Sequence, residues 1–140
     1  MSSDIWTIVH DGSIIAIAAM EPSDLVVTID IPYLRHMFDA NGTAFLIRLH
    51  QCDRFEYRDY SDSQWTNSFA DIIRAEPEIL SVKADTGQEI LITCTEGQLR
   101  MHYESCTIAL DTGVPVTRDE LAAAATHYWQ EWERAKQEKR

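Results

Sequence analysis

Hydrophobic and polar residues alternate with a period of two along much of the chain between residues 14 and 110. In residues 25–31, Leu25, Val27 and Ile29 fall on one side and Val26 and Thr28 on the other. This is the pattern of a strand with one buried face. Residues 14–20 also fit a strand, and a short segment of turn-forming residues separates the two runs. The sequence therefore predicts that the first two strands form a hairpin.

A second alternating region follows the turn signal Asn41-Gly42. It contains one run in residues 43–50, and the alternation resumes after Cys52 and Asp53 with Phe55 and Tyr57. The pattern predicts either one long or bulged strand or a second hairpin.

Three later runs, residues 79–84, 89–95 and 98–104, are separated by the turn sequences Asp85-Thr86-Gly87 and Thr95-Glu96-Gly97. Short alternating runs joined by glycine-containing turns are typical of a β-meander. A fourth run, residues 107–110, ends at another turn.

Two segments change to helical spacing. Residues 65–75 place Trp65, Phe69 and Ile72 on one face, which predicts a short helix whose apolar face begins at Trp65. At the end of the chain, Thr117 and Glu120 have the spacing of a capping box. The helix that follows has an apolar stripe that we expect to dock on a sheet. The stripe consists of Leu121, Ala124, Ala125, Tyr128, Trp132 and Ala135.

These elements predict one domain over residues 1–140, in the α+β class and mainly β. The expected architecture is an antiparallel meander-type sheet or sandwich of about seven to eight strands, with one short internal helix and a long C-terminal amphipathic helix.

Charge narrows the possible partners. The chain carries 12 Lys and Arg against 23 Asp and Glu, a formal net charge of -11. Such a charge repels nucleic-acid phosphates and anionic membrane surfaces, so we expect no nucleic-acid or membrane partner and favour a basic protein. The apolar runs are shorter than the ~20 residues that span a bilayer, and the N-terminus lacks the features of a secretory signal. We therefore expect a cytoplasmic protein.

The sequence contains no motif that indicates a cofactor or a nucleophile. His50 and Cys52 have the spacing of half a zinc site, but the three cysteines show no further ligand spacing, and reduced, buried thiols fit better. His10-Asp11-Gly12 could place a base beside a carboxylate, but the Asp-Gly pair favours a turn. We expect no cofactor, no metal site and no enzymatic activity.

One stretch combines acidic and aromatic residues. Residues 59–78 contain five acids against one arginine, a formal net charge of -4. Aromatic side chains in such a stretch are candidate interface anchors. The predicted partner-binding residues are Asp59, Tyr60, Asp62, Trp65, Glu76 and Glu78. The alternative is that the acids only confer solubility and that Trp65 belongs to the core side of the short helix.

The segments Ile5-Trp6, His10-Asp11-Gly12-x-Ile14 and Glu78-Ile79-Leu80-Ser81, set among alternating strands, resemble small bacterial β-rich proteins that include immunity proteins of polymorphic toxin systems. The resemblance implies a noncatalytic domain that binds a cognate protein toxin, and it assigns no residue a role. Two alternatives remain: a small-ligand-binding or enzymatic β-domain, and an orphan structural subunit.

Overall fold

The computed structural model describes residues 3–139, which form two antiparallel sheets and four helices. The α+β, mainly β class and the long C-terminal helix are therefore confirmed. The strands are β1 (Ser13–Met20), β2 (Asp24–Asp30), β3 (Ala44–His50), β4 (Arg54–Asp59), β5 (Ile79–Asp85), β6 (Ile90–Cys94), β7 (Gly97–His102), β8 (Ser105–Leu110) and β9 (Pro115–Val116). The helices are α1 (Asp4–Ile8), α2 (Pro32–Arg35), α3 (Phe69–Ala75) and α4 (Arg118–Glu138). No helix in this part of the chain combines the length and apolar character needed to cross a membrane.

The first sheet has the strand order β1-β2-β3-β8-β9. β1 and β2 form the predicted hairpin. Val27 and Ile29 of β2 and Phe45 and Ile47 of β3 are fully buried, whereas the residues between them are partly exposed. The period-two pattern thus marks the buried face of this sheet.

The second sheet has the order β4-β7-β6-β5, and its last three strands are the predicted meander. Its inner face contributes Tyr57, Ile92 and Leu99 to the core. The buried side chains of both sheets belong to one hydrophobic cluster. Two neighbouring strands of the chain, β3 and β4, lie in different sheets, because β3 pairs with β2 and β8 whereas β4 pairs with β7.

The prediction of one long strand or a hairpin in residues 43–58 was therefore wrong. The chain changes sheet at Gln51, which has a left-handed backbone with φ of 51°. The Gln51 amide donates to a carboxylate oxygen of Asp24 at 3.0 Å, and the Cys52 amide donates to the Ser23 carbonyl at 2.8 Å. These bonds fix the bend between the sheets.

The short helix α3 begins at Phe69 rather than at Trp65. Thr66 instead extends the sheet, exchanging backbone hydrogen bonds with Tyr57 at 2.9 and 2.8 Å. The Ser68 hydroxyl then accepts from the Asp71 amide and caps the helix. The prediction that Trp65 opens the helix was wrong, because Thr66 is still paired with the sheet and the helix is capped only at Ser68.

Two further short helices are held by buried side chains. Helix α1 was not predicted, whereas α2 lies at the helical turn that the spacing of Leu34, Met37 and Phe38 predicts. In α1, Trp6 is fully buried and its indole N–H donates to the Tyr103 hydroxyl at 3.0 Å. Arg35 of α2 is also fully buried, and its guanidinium pairs with Asp39 at 2.8 Å and with Asp111 at 2.9 Å.

Helix α4 starts with the predicted capping box of Thr117 and Glu120. Its main contacts are with the helices α1 and α2 rather than with a sheet, so the expected docking on a sheet was wrong for most of the stripe. Only Leu121 of its apolar stripe is fully buried, and Trp132 is 46% exposed. Tyr128 packs on Tyr33 of α2 with ring centroids 4.4 Å apart, and Trp129 contacts both Tyr33 and His10. Trp132 packs on Trp129, with ring centroids 5.8 Å apart.

Candidate protein-interaction site

The predicted acidic residues lie at one end of the second sheet, together with one acid that was not predicted, Glu96. We call this region the acidic end and define it by Asp59, Asp62, Glu76, Glu78 and Glu96. Asp59 is the last residue of β4 and pairs with Gly97, the first residue of β7. On the other side, the Thr95 amide donates to the Glu78 carbonyl at 3.1 Å, just before β5 begins. The acidic end therefore runs across all four strands, from β4 to β5.

Two of these carboxylates also shape the loop after β4. The Asp59 carboxylate accepts from the Ser61 hydroxyl at 2.6 Å and from the Ser61 amide at 2.9 Å, and these bonds lower the pKa of Asp59 below its usual value. The Asp62 carboxylate accepts from the Gln64 amide at 3.0 Å. Both acids thus fix the loop that carries the exposed side chain of Tyr60.

Glu76 and Glu78 flank a proline after α3. Glu76 ends the helix in a left-handed conformation with φ of 47°. Glu78 forms an isolated bridge with Ser13 at the start of β1. The acidic end therefore reaches the junction between the two sheets.

Glu96 was missed in the sequence analysis. It occupies the turn between β6 and β7, and its carbonyl accepts from the Tyr60 amide at 2.9 Å. This turn lies between Asp59 and Glu78, so Glu96 stands at the centre of the acidic end. The meander contained the signal, because it places the turn between its second and third strands at the end of the sheet where the first strand begins.

Trp65 lies apart from these acids, on the outer face of the second sheet. Its ring is 4.1 Å from the guanidinium carbon of Arg100 and 5.4 Å from that of Arg58. Both arginines project from the outer face, since their neighbours Tyr57 and Leu99 are buried inside. The structure thus brings together four of the predicted residues, Asp59, Tyr60, Asp62 and Glu78, with Glu76 beside Glu78 and Trp65 on an adjoining face.

The opposite end of the second sheet carries a histidine paired with a carboxylate. His102 Nδ1 lies 2.6 Å from Asp53 Oδ1, and both residues line two adjoining clefts of about 520 and 490 Å³. The nearest cysteine lining a cleft, Cys52, is a poor nucleophile, because burial raises the pKa of its thiol to about 11. The histidine and the carboxylate are both partly exposed to solvent, and the cysteine beside them is not an activated nucleophile.

The other histidines considered above have structural partners. His50 Nδ1 lies 3.0 Å from Asp24 and its Nε2 lies 3.0 Å from the Thr107 hydroxyl. His10 stacks on Trp129 with ring centroids 5.6 Å apart, and the following Asp11 has a φ of 74°, as expected for a turn. Within residues 3–139, no group of three or more His, Cys, Asp or Glu residues is placed to hold a metal ion.

Several carboxylates and one exposed tyrosine on a sheet end can attract and contact a positively charged surface. A scan of protein-family models, a search of curated proteins and a search of solved structures each found no match to this chain.

Proposed function

We propose that this protein is a noncatalytic protein-binding module whose acidic end binds a basic protein partner, as an immunity protein would bind a cationic toxin. The observation that carries the proposal is the convergence of Asp59, Glu78 and Glu96 from separate segments on one end of one sheet. Tyr60, 51% exposed beside them, supplies an aromatic contact.

The partner's charge follows from the field of the acidic end. A protein that binds phosphate backbones must hold positive potential in its groove, and a carboxylate-rich surface is complementary to that groove. Long-range attraction accelerates association, and short-range contacts by aromatic side chains slow dissociation. The overall charge of -11 adds to the same field.

The test uses co-expression with toxins encoded beside the gene, followed by binding kinetics for the toxin from which the protein protects. The variant Glu76→Lys/Glu96→Lys reverses charge at the acidic end without removing the carboxylates that fix the 59–64 loop. The matched control, Glu21→Lys/Glu104→Lys, makes the same charge change near the opposite ends of the sheets.

We expect the first variant to lower the association rate constant by about tenfold at low salt, and by less at high salt. The control is expected to change it far less. Failure to protect against any neighbouring toxin refutes the immunity function. Equal effects of the two variants refute the assignment to the acidic end.

A further inference from the structure

Arg58 differs from the other arginines of the described chain in having no acidic partner. Within residues 3–139, every other arginine lies within ion-pair distance of at least one carboxylate. Arg58 makes a hydrogen bond only to an uncharged group, from its Nη2 to the Gln98 side-chain oxygen at 3.1 Å. Although the chain has an excess of acids, Arg58 makes no ion pair within the described residues.

The surroundings of Arg58 hold its guanidinium in place. Trp65 covers it at 5.4 Å, and Gln98 is its partner across the strand pair. The Nε of Arg58 is buried and has no hydrogen-bond partner. A guanidinium held between an aromatic ring and a hydrogen-bond partner has already lost part of the side-chain entropy that binding an anion through its Nη groups would otherwise cost.

Arg58 also adjoins the acidic end. It directly precedes Asp59 on β4, and its strand partner Gln98 directly follows Gly97 on β7. A partner that covers the acidic end therefore reaches Arg58 within one residue step along the same strands.

We propose that Arg58 receives a carboxylate of the protein partner, with Trp65 as the apolar surface beside this ion pair. This inference rests on the proposed function and adds a second charge to it: the partner presents a basic surface that contains one acidic side chain facing Arg58. One positive charge on an acidic surface, matched by one negative charge on the partner's basic surface, fixes the orientation of the two proteins in the complex. Partners without this acidic side chain then bind more weakly.

The first experiment needs no partner. Sodium acetate, a model carboxylate, is titrated into the wild-type protein, and the arginine Nε–H and tryptophan indole signals are followed by NMR, with sodium chloride at equal ionic strength as the reference. We expect a saturable shift at Arg58 and Trp65, at about threefold lower acetate than any shift at Arg54, which is already paired with Glu89 at 2.8 Å. A shift at Arg58 that is equal to or smaller than that at Arg54 overturns the proposal.

The second experiment uses the toxin identified by co-expression. Arg58→Gln is compared with Arg54→Gln, which removes the same charge from the same face of the same strand. We expect Arg58→Gln to weaken binding by about 30-fold, mainly through faster dissociation, and Arg54→Gln by less than about threefold.

The two experiments separate the two proposals. If charge reversal at the acidic end weakens binding while Arg58→Gln does not, the proposed function stands and this inference fails. If no toxin is bound, the proposed function fails, and the proposed carboxylate on the partner fails with it. The acetate titration still decides whether Arg58 itself recognises carboxylates.

Discussion

At the scale of single residues, the strongest electrostatic feature is the buried arginine of α2. The Asp111 carboxylate accepts from the Arg35 guanidinium and from the backbone amides of Thr43 and Ala44 at 3.0 and 3.1 Å. Burial alone would raise the pKa of Asp111, but these bonds outweigh it and lower the pKa. One side chain thus joins α2, the start of β3 and the turn after β8.

We predict that Asp111→Ala destabilises the protein by about 3 kcal/mol, because it leaves a buried guanidinium with one partner fewer and two amides without their acceptor. Asp71→Ala is the control, since it removes an exposed carboxylate paired with Arg74 on the surface of α3. Urea denaturation of both variants at pH 7 measures the difference. Similar losses for the two would show that the Arg35 network contributes little.

A second residue-scale prediction concerns acid stability. The backbone amide of Gln51, followed by the Arg48 side chain, lowers the pKa of Asp24 in the folded protein. A carboxyl group whose pKa is lower in the folded state than in the unfolded state stabilises the fold fully at pH values above its unfolded-state pKa of about 3.9. This stabilisation is lost as the pH falls through the pKa of the folded state.

Asp24→Asn should therefore be less stable than wild type at pH 7, and the difference should shrink as the pH falls from about 5 toward 2. Urea midpoints at a series of pH values test this. A difference that stays constant over that range would mean that the charge of Asp24 does not stabilise the bend at Gln51.

At the scale of elements, α4 shows the difference between an amphipathic pattern and burial. Leu121 is fully buried, whereas Trp132 lies three turns later and is half exposed. We predict that Leu121→Ala costs about 3 kcal/mol and that Trp132→Ala costs less than about 1 kcal/mol. Thermal or urea unfolding of the two variants measures both. A larger loss for Trp132→Ala would restore the expectation that the whole stripe is packed against the body.

The alternating pattern predicted most of the strands, including the three strands of the meander, because it indicates which side chains face the core. They could not show that β3 and β4 separate, since a period of two carries no information about which strand is the neighbour. The predicted start of the short helix was wrong for a related reason. Trp65 has helical spacing from Phe69, but Thr66 pairs with Tyr57 in the sheet instead. Tertiary hydrogen bonds overrode local spacing there.

The sequence indicated some residues of the acidic end but not all of them. Its acids and Tyr60 are visible as a charged stretch, but Glu96 joins them only through the register of β6 and β7. Arg58 could not be recognised at all, because its lack of a carboxylate partner depends on where every nearby acid lies in space. Sequence indicates charge, whereas the fold decides which charges are compensated.

At the scale of the whole molecule, both sheets share one hydrophobic cluster, so we expect them to unfold together. Ile29 in the first sheet and Ile92 in the second are both fully buried. Ile29→Val and Ile92→Val should each cost about 1 kcal/mol. If the fold is one cooperative unit, each variant lowers the free energy of hydrogen exchange by the same amount at a first-sheet amide and at a second-sheet amide, such as those of Ile47 and Leu99. Native-state hydrogen exchange measures these values, and a loss confined to the substituted sheet would show that the two sheets are separate folding units.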